Sequence, residues 1–133
     1  MIALTEKNVV LLLDDDKFLL DMYSMKFQQQ GYTVQAFLSA NDAISALRAG
    51  FSPDVMLFDL VMPQMNGAVF LTEVEKEKLA PHALKIVLTN QNDDAERQKV
   101  IEHGADQCIV KASAVPSEVV NIIERAILAK NKS

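Results

Sequence analysis

The sequence predicts a doubly wound α/β domain, five parallel strands with helices over both faces of the sheet. Three observations carry that prediction. Short apolar runs alternate with helix-period segments along the whole chain, the runs do not alternate with polar residues, and four of them stop at residues able to do chemistry. Strands without polar alternation are those of a parallel sheet covered on both sides.

The elements follow in order. Val9 to Leu13 (VVLLL) is the first strand and stops at Asp14-Asp15-Asp16. A helix from Asp16 to about Gln30 turns Leu19, Met22, Tyr23 and Phe27 inward, and Gly31 ends it. Val34–Leu38 is the second strand. Ser39 then caps a helix whose Ala40, Ala43, Ile44 and Leu47 share one face, with Asp42 completing a capping-box-like start. Val55–Phe58 is the third strand, and Phe70, Leu71 and Val74 form a helical stripe after Gly67. Ile86–Leu88 is the fourth; Asn92 caps the helix after it, with Asp93 and Asp94 in a first turn that favours negative charge. Cys108–Val110 is the fifth, followed by a stripe of Val119, Ile123, Ala126 and Ile127 with Pro116 in the tolerant first turn.

Composition narrows the function. The 133 residues suit a single domain over 1–133, and 50% hydrophobic against 23% charged residues excludes a disordered chain. No apolar run approaches the roughly 20 residues needed to cross a bilayer, and the start, MIALTEK, is unlike a signal peptide. A lone Cys108 excludes a disulfide framework. A net charge of −5 without a basic cluster argues against gripping nucleic acid. The expectation is a cytoplasmic domain that makes neither nucleic-acid contact nor membrane insertion.

In open parallel sheets, ligands bind beyond the carboxyl ends of the strands. There the sequence places Asp14, Asp15 and Asp16, then Asp59, Thr89-Asn90 and Lys111. Each alone is ordinary: a triple Asp is often a solvated turn, a terminal Thr reflects β-propensity, and a Lys after a strand is surface charge. Together they read differently. Crowded carboxylates call for a hard cation, and Mg2+ takes oxygen ligands from one or two carboxylates and a phosphate. A hydroxyl and an ammonium opposite the metal would neutralise phosphoryl oxygens, completing a set for phosphoryl transfer to a carboxylate.

The segments VLLLDDD, MLFDLVMPQMNG, KIVLTNQ and GADQCIVK, in this order, resemble the receiver domains of two-component response regulators (the CheY-like family) over essentially the whole chain. The resemblance implies a flavodoxin-like (βα)5 fold with strand order 2-1-3-4-5. It implies that Asp59 accepts a phosphoryl group from a histidine kinase or histidine phosphotransfer protein. Asp15, Asp59 and the backbone carbonyl of Val61 would bind Mg2+ directly, Asp14 mainly through metal-bound water. Thr89 and Lys111 would contact the phosphoryl group, and Met62-Pro63 and Asn66-Gly67 would shape the loop and helix start beside the site. Such a domain is not an enzyme acting on a separate substrate; it catalyses only its own phosphorylation and dephosphorylation. Output would pass to a downstream protein through the fourth and fifth helices, with a transient homodimer through the same face. The chain ends soon after the fifth helix, so the expectation is a domain that works by protein contact or phosphate relay.

Three departures from the family pattern stand out. Ala112 follows Lys111 where proline is usual, which puts the shape of that loop in question. Cys108 occupies the position of the switch aromatic and has no ring to swing, so that part of the coupling is expected to be missing. Asn90 is bulkier than the small residue usual there, and apolar Val61, with Gln91, sits where side chains tune water access. A long-lived phosphoryl group is the expectation, and Val61→Asn should speed its loss in a dephosphorylation time course.

Other classes fit less well. A haloacid-dehalogenase-like, Mg2+-dependent phosphatase would use Asp14-x-Asp16, but Phe18 stands where Thr or Val is required, no acidic pair follows Lys111, and Asp59 would be idle. A non-phosphorylated pseudo-receiver is favoured only by Ala112, Cys108 and Asn90. A flavodoxin-like cofactor binder lacks the Ser/Thr/Gly-rich loop after the first strand.

Overall fold

A computed structural model describes residues 8–60, 62, 66–89, 94–111 and 115–131. Ten elements alternate: β1 (Val9–Leu13), α1 (Lys17–Gln29), β2 (Thr33–Phe37), α2 (Ala40–Arg48), β3 (Val55–Asp59), α3 (Gly67–Lys76), β4 (Leu84–Thr89), α4 (Asp94–Glu102), β5 (Gln107–Val110) and α5 (Pro116–Asn131). The strands form one parallel sheet in the order β2-β1-β3-β4-β5, as the resemblance implies.

Alternate strand residues feed two cores. On one face Leu11, Leu13, Met56, Phe58 and Val87 meet Ile44 and Leu47 of α2, Phe70, Leu71 and Val74 of α3, and Val100 of α4. On the other, Val10, Leu12, Leu57, Ile86 and Leu88 meet Leu20, Tyr23 and Phe27 of α1 and Val119, Ile123 and Ile127 of α5. Phe27, Phe58 and Phe70 are wholly buried, each worth roughly 2–3 kcal/mol of removed apolar surface. Phe58 and Phe70 meet edge-on at 5.1 Å, which locks α3 onto β3 beside the end of that strand.

The helix starts follow the sequence. Ser39 Oγ accepts from the Asp42 amide (3.1 Å), and the Asp16 carboxylate accepts from the amides of Phe18 (3.0 Å) and Leu19 (3.2 Å). Gly31, just past α1, has φ +94°, the left-handed conformation that glycine adopts without penalty.

Several details differ from expectation. In α1 the deeply buried residues are Leu20, Tyr23 and Phe27; Leu19 and Met22 are only partly buried, because the 20-23-27 spacing is the row that faces the sheet. β2 runs Thr33–Phe37 rather than Val34–Leu38, and it is half-exposed because it is an edge strand with one neighbour. Leu38 is left 48% exposed. β4 begins two residues earlier than its apolar run, at Leu84, and so takes in Lys85. The Asn92 cap and Asp93 lie outside the described residues, as do Val61, Pro63, Asn90, Gln91 and Ala112.

Candidate functional site

The site is built where four strands end. β1 is buried up to Leu13, and the Asp14 amide extends its pairing by donating to the Phe37 carbonyl (3.2 Å). Asp14 then turns the chain: its Oδ1 accepts from the Asp16 amide (2.9 Å), and Asp16 in turn caps α1. The triple Asp thus divides its labour. Asp14 is 2% exposed, Asp15 faces solvent, and Asp16 serves the helix.

β3 delivers Asp59, 5% exposed, at its last position. The chain returns tightly beneath it, with the Gly67 amide donating to the Leu60 carbonyl at 2.7 Å. A Cβ on Gly67 would stand 2.6 Å from the Asp59 carbonyl oxygen and 2.9 Å from Leu60 Cα, both backbone atoms that cannot give way. Only glycine fits. Asn66 beside it caps α3, accepting from the Val69 amide at 2.9 Å. The Asn66-Gly67 pair thus forms the start of α3 beside the site, as its reading has it, and sets how closely that helix approaches Asp59.

β4 ends in Thr89, 2% exposed, and Lys111 directly follows β5. The Lys111 ammonium lies 2.9 Å from Asp14 Oδ2 and 3.3 Å from Asp59 Oδ2. Burial depresses the Lys111 pKa, but the Asp14 hydrogen bond and the charges of Asp59 and Asp14 outweigh it, so the net shift is upward. Asp14, Asp15 and Asp59 each offer a carboxylate oxygen within 4.8 Å of the others. One ammonium against three carboxylates leaves two formal negative charges, and an all-oxygen set of that charge fits a hard divalent cation.

The structure thus brings together Asp14, Asp15, Asp59 and Lys111, with Thr89 at the same edge; Val61 lies outside the described residues. Tyr23 was read only as a core residue. Burial raises its phenol pKa, Lys111 pulls it down, and Asp14 and Asp59 push it up, so it also senses the cluster. Its place on the inward row of α1, two turns after the Asp16 cap, was the available signal. Cys108 is half-buried against the core on the α4 side, where burial raises its thiol pKa and Arg97 lowers it; a poorly ionised thiol suits packing rather than reactivity.

Comparison with known proteins agrees with this geometry. The family model for the response regulator receiver domain matches residues 10–124. The CpxR homolog of Haemophilus influenzae, a transcriptional regulatory protein, is 33% identical over 103 residues, covering 77% of this chain and 43% of its own. A CheY-like response regulator receiver domain protein from Methanospirillum hungatei JF-1 superposes with a TM-score of 0.84 at 24% identity, over 96% of this chain and 98% of its own. The BeF3-activated receiver domain of DrrB, a response regulator of Thermotoga maritima, gives 0.79 at 27% identity, over 93% and 99%. The fold and the acidic pocket define a signalling module of two-component systems. The chain belongs to the response regulator receiver domain family. Its pocket of Asp14, Asp15 and Asp59 is of the kind that serves receivers as a phosphoacceptor site. The chain spans about half the length of the curated relatives it matches.

Proposed function

We propose that residues 1–133 act as one receiver domain and that Asp59 is its phosphoacceptor, charged by a phosphohistidine of a histidine kinase or phosphotransfer protein. An Asp59 carboxylate oxygen attacks phosphorus, the phosphorus–imidazole nitrogen bond breaks, and the imidazole leaves. Lys111 pairs with the resulting acyl phosphate, and the Thr89 hydroxyl donates to its oxygens. The observation that carries this reading is Lys111, held 2.9 Å from Asp14 and 3.3 Å from Asp59 at a formally unbalanced acidic cluster. Both oxygens of Asp14 are already engaged, by Asp16 N–H and by Lys111. That favours Asp15, Asp59 and the Val61 carbonyl as direct Mg2+ ligands, with Asp14 acting through bound water. Bound Mg2+ would screen the negative charge that gathers between nucleophile and phosphoryl oxygens.

A protein donor is supported by apolar side chains around this edge. Phe18 at the start of α1 is 72% exposed, and Leu38, Val69 and Val115 stand exposed at the starts of α2, α3 and α5. Exposed Ile101 on α4 and Leu128 on α5 support output, and a transient homodimer, through those helices. No helix among the described residues is long and apolar enough to cross a membrane; cytoplasmic residence is the reading that goes with a kinase donor. The domain turns over no separate substrate and catalyses only its own phosphorylation and dephosphorylation.

Intact mass after incubation with Mg2+ and acetyl phosphate tests the proposal. A phosphoryl-sized gain that requires Mg2+ and is lost in Asp59→Asn is the expected result. A gain that survives Asp59→Asn and is lost in Asp14→Asn would point to the phosphatase chemistry instead, and no gain in the wild type would leave a pseudo-receiver.

A further inference from the structure

We propose that β2 is a self-association edge: two copies of this chain pair β2 against β2, antiparallel about a two-fold axis, and join their sheets into one. The pairing does not rest on the phosphoacceptor reading. It uses the side of the sheet opposite β5, the strand that α4 packs on.

An edge strand keeps a row of N–H and C=O groups without a ladder partner, and proteins guard such rows with charge or by keeping the strand very short. The two edges of this sheet differ in that respect. β5 spans only Gln107–Val110 and is bracketed by charge, with Lys111 on one side and Asp106 on the other. The Asp106 carboxylate also ties that strand inward, its Oδ2 accepting from the Lys85 amide at 2.8 Å. Around β2, no residue from Phe27 to Asn41 is charged, the longest such stretch in a sequence that is 23% charged. Thr33, Gln35 and Ala36 are exposed along it. Nothing in that stretch repels a second copy of itself.

The backbone tells which groups are open. The Thr33 amide donates to the Asn8 carbonyl (3.3 Å), and the Phe37 carbonyl accepts from the Asp14 amide (3.2 Å), so both residues turn toward β1. In a strand, the N–H and C=O of one residue point to one side and those of the next residue to the other. Gln35 therefore faces β1 with Thr33 and Phe37, while Val34 and Ala36 direct both groups away from it. One antiparallel register serves all four of these groups: Val34 opposite the second copy's Ala36, and Ala36 opposite the second copy's Val34. Each such pair exchanges two hydrogen bonds. The register is two-fold symmetric about Gln35, which lies opposite itself across the axis, amide to amide. A contact of this kind uses one edge of each chain and closes, giving a dimer and not a fibre. The strand is also held ready. Val34 packs on the α1 side of the sheet and Phe37 lies 6.3 Å from Phe51 on the other, so pairing need not order it. With five residues in the strand the contact is small, and the dimer is weak and concentration-dependent.

Sedimentation equilibrium of the full chain from about 10 μM to about 1 mM tests the pairing, in wild type, Gln35→Lys and Gln35→Glu. The wild type should pass from monomer toward dimer as concentration rises. Either substitution alone sets like charges face to face on the axis and should weaken the dimer about tenfold or more. An equimolar mixture of the two should regain wild-type strength within about threefold, because opposite charges then meet. Gln35 is exposed, so neither change threatens the fold. Amide hydrogen exchange gives a readout that needs no variant. Over the same concentrations the Val34 and Ala36 amides should slow about fivefold or more, and the Gln35 amide, already facing β1, should stay within about twofold. A wild type that stays monomeric throughout overturns the proposal. So does a dimer that the single variants form as well as the wild type, since it would run through another face, and so does a dimer weakened in both variants but not regained on mixing.

Discussion

Lys85 and Lys111 sit at opposite edges of the sheet, one near the start of β4 and the other just past the end of β5, with side chains about equally buried (9% and 11% exposed). Their surroundings differ in charge balance. Lys85 faces one half-exposed carboxylate, Glu75, whereas Lys111 lies between two nearly buried ones with Asp15 close by. Burying a paired cation contributes little net stability, since desolvation cancels most of the attraction. One cation beside three carboxylates leaves a formal excess of negative charge among the described residues. The balanced edge holds structure, and the unbalanced edge suits the dication and phosphoryl group of the proposed function.

The largest effect that would break this contrast is Lys111→Met. It strands Asp14 and Asp59 in a site of low exposure and should cost about 3 kcal/mol in a denaturant melt without Mg2+. Lys85→Met should cost under about 1 kcal/mol, because Glu75 keeps access to water. Equal costs would sink the contrast. The glycines at the two edges sharpen it. Gly67→Ala drives a methyl into the Asp59 backbone and should cost about 2–3 kcal/mol, whereas Gly104→Ala meets only the tip of Glu75 and should cost about 1 kcal/mol for its positive φ.

Smaller still, Asp59→Asn should raise stability without Mg2+ by about 1 kcal/mol, through relief of like-charge repulsion. A melt no more stable than wild type would mean that Lys111 already balances the cluster.

The pH dependence has the least effect. The folded pKa of Lys111 is raised, so its contribution is fully present below the unfolded value of about 10.4 and is lost as pH rises through the folded value. Away from both edges, Arg48 holds the Glu77 carboxyl at about 2 through a hydrogen bond of 2.8 Å. That exposed pair should contribute above about pH 4.5 and fade as pH falls toward 2. An NMR titration should show the Glu77 midpoint return toward its ordinary value in Arg48→Met.

Much of this was legible in the sequence because parallel strands advertise themselves. VVLLL and VMLF can only be buried on both sides, and the polar residue ending each run marks the binding edge. Ser39 and Asp16 were legible as caps because side-chain oxygens before an apolar period have few other uses. What escaped depended on partners far along the chain. Lys85 lay outside the apolar run Ile86–Leu88 and drew no reading, because nothing local reveals Glu75 or Asp106. The extent of β2 was misjudged because an edge strand needs no second apolar face. Leu20 and Leu19 are adjacent and equally apolar, so only the docking angle of α1 chooses between them. At the site the carboxylates and Lys111 could be placed by topology, while the contact of Gly67 with Asp59 could not, since it depends on where α3 is packed.

Tyr23 has an optical consequence. The chain has no tryptophan and only two tyrosines, so near-ultraviolet signals come chiefly from Tyr23 and Tyr32. Tyr32 stands edge-on to Phe27 and feels the distant Glu124, whereas Tyr23 feels Lys111, Asp14 and Asp59. A change of charge at the cluster therefore alters the electric field across one chromophore and spares the other. The protein carries a built-in voltmeter, and Tyr32→Phe would isolate its reading.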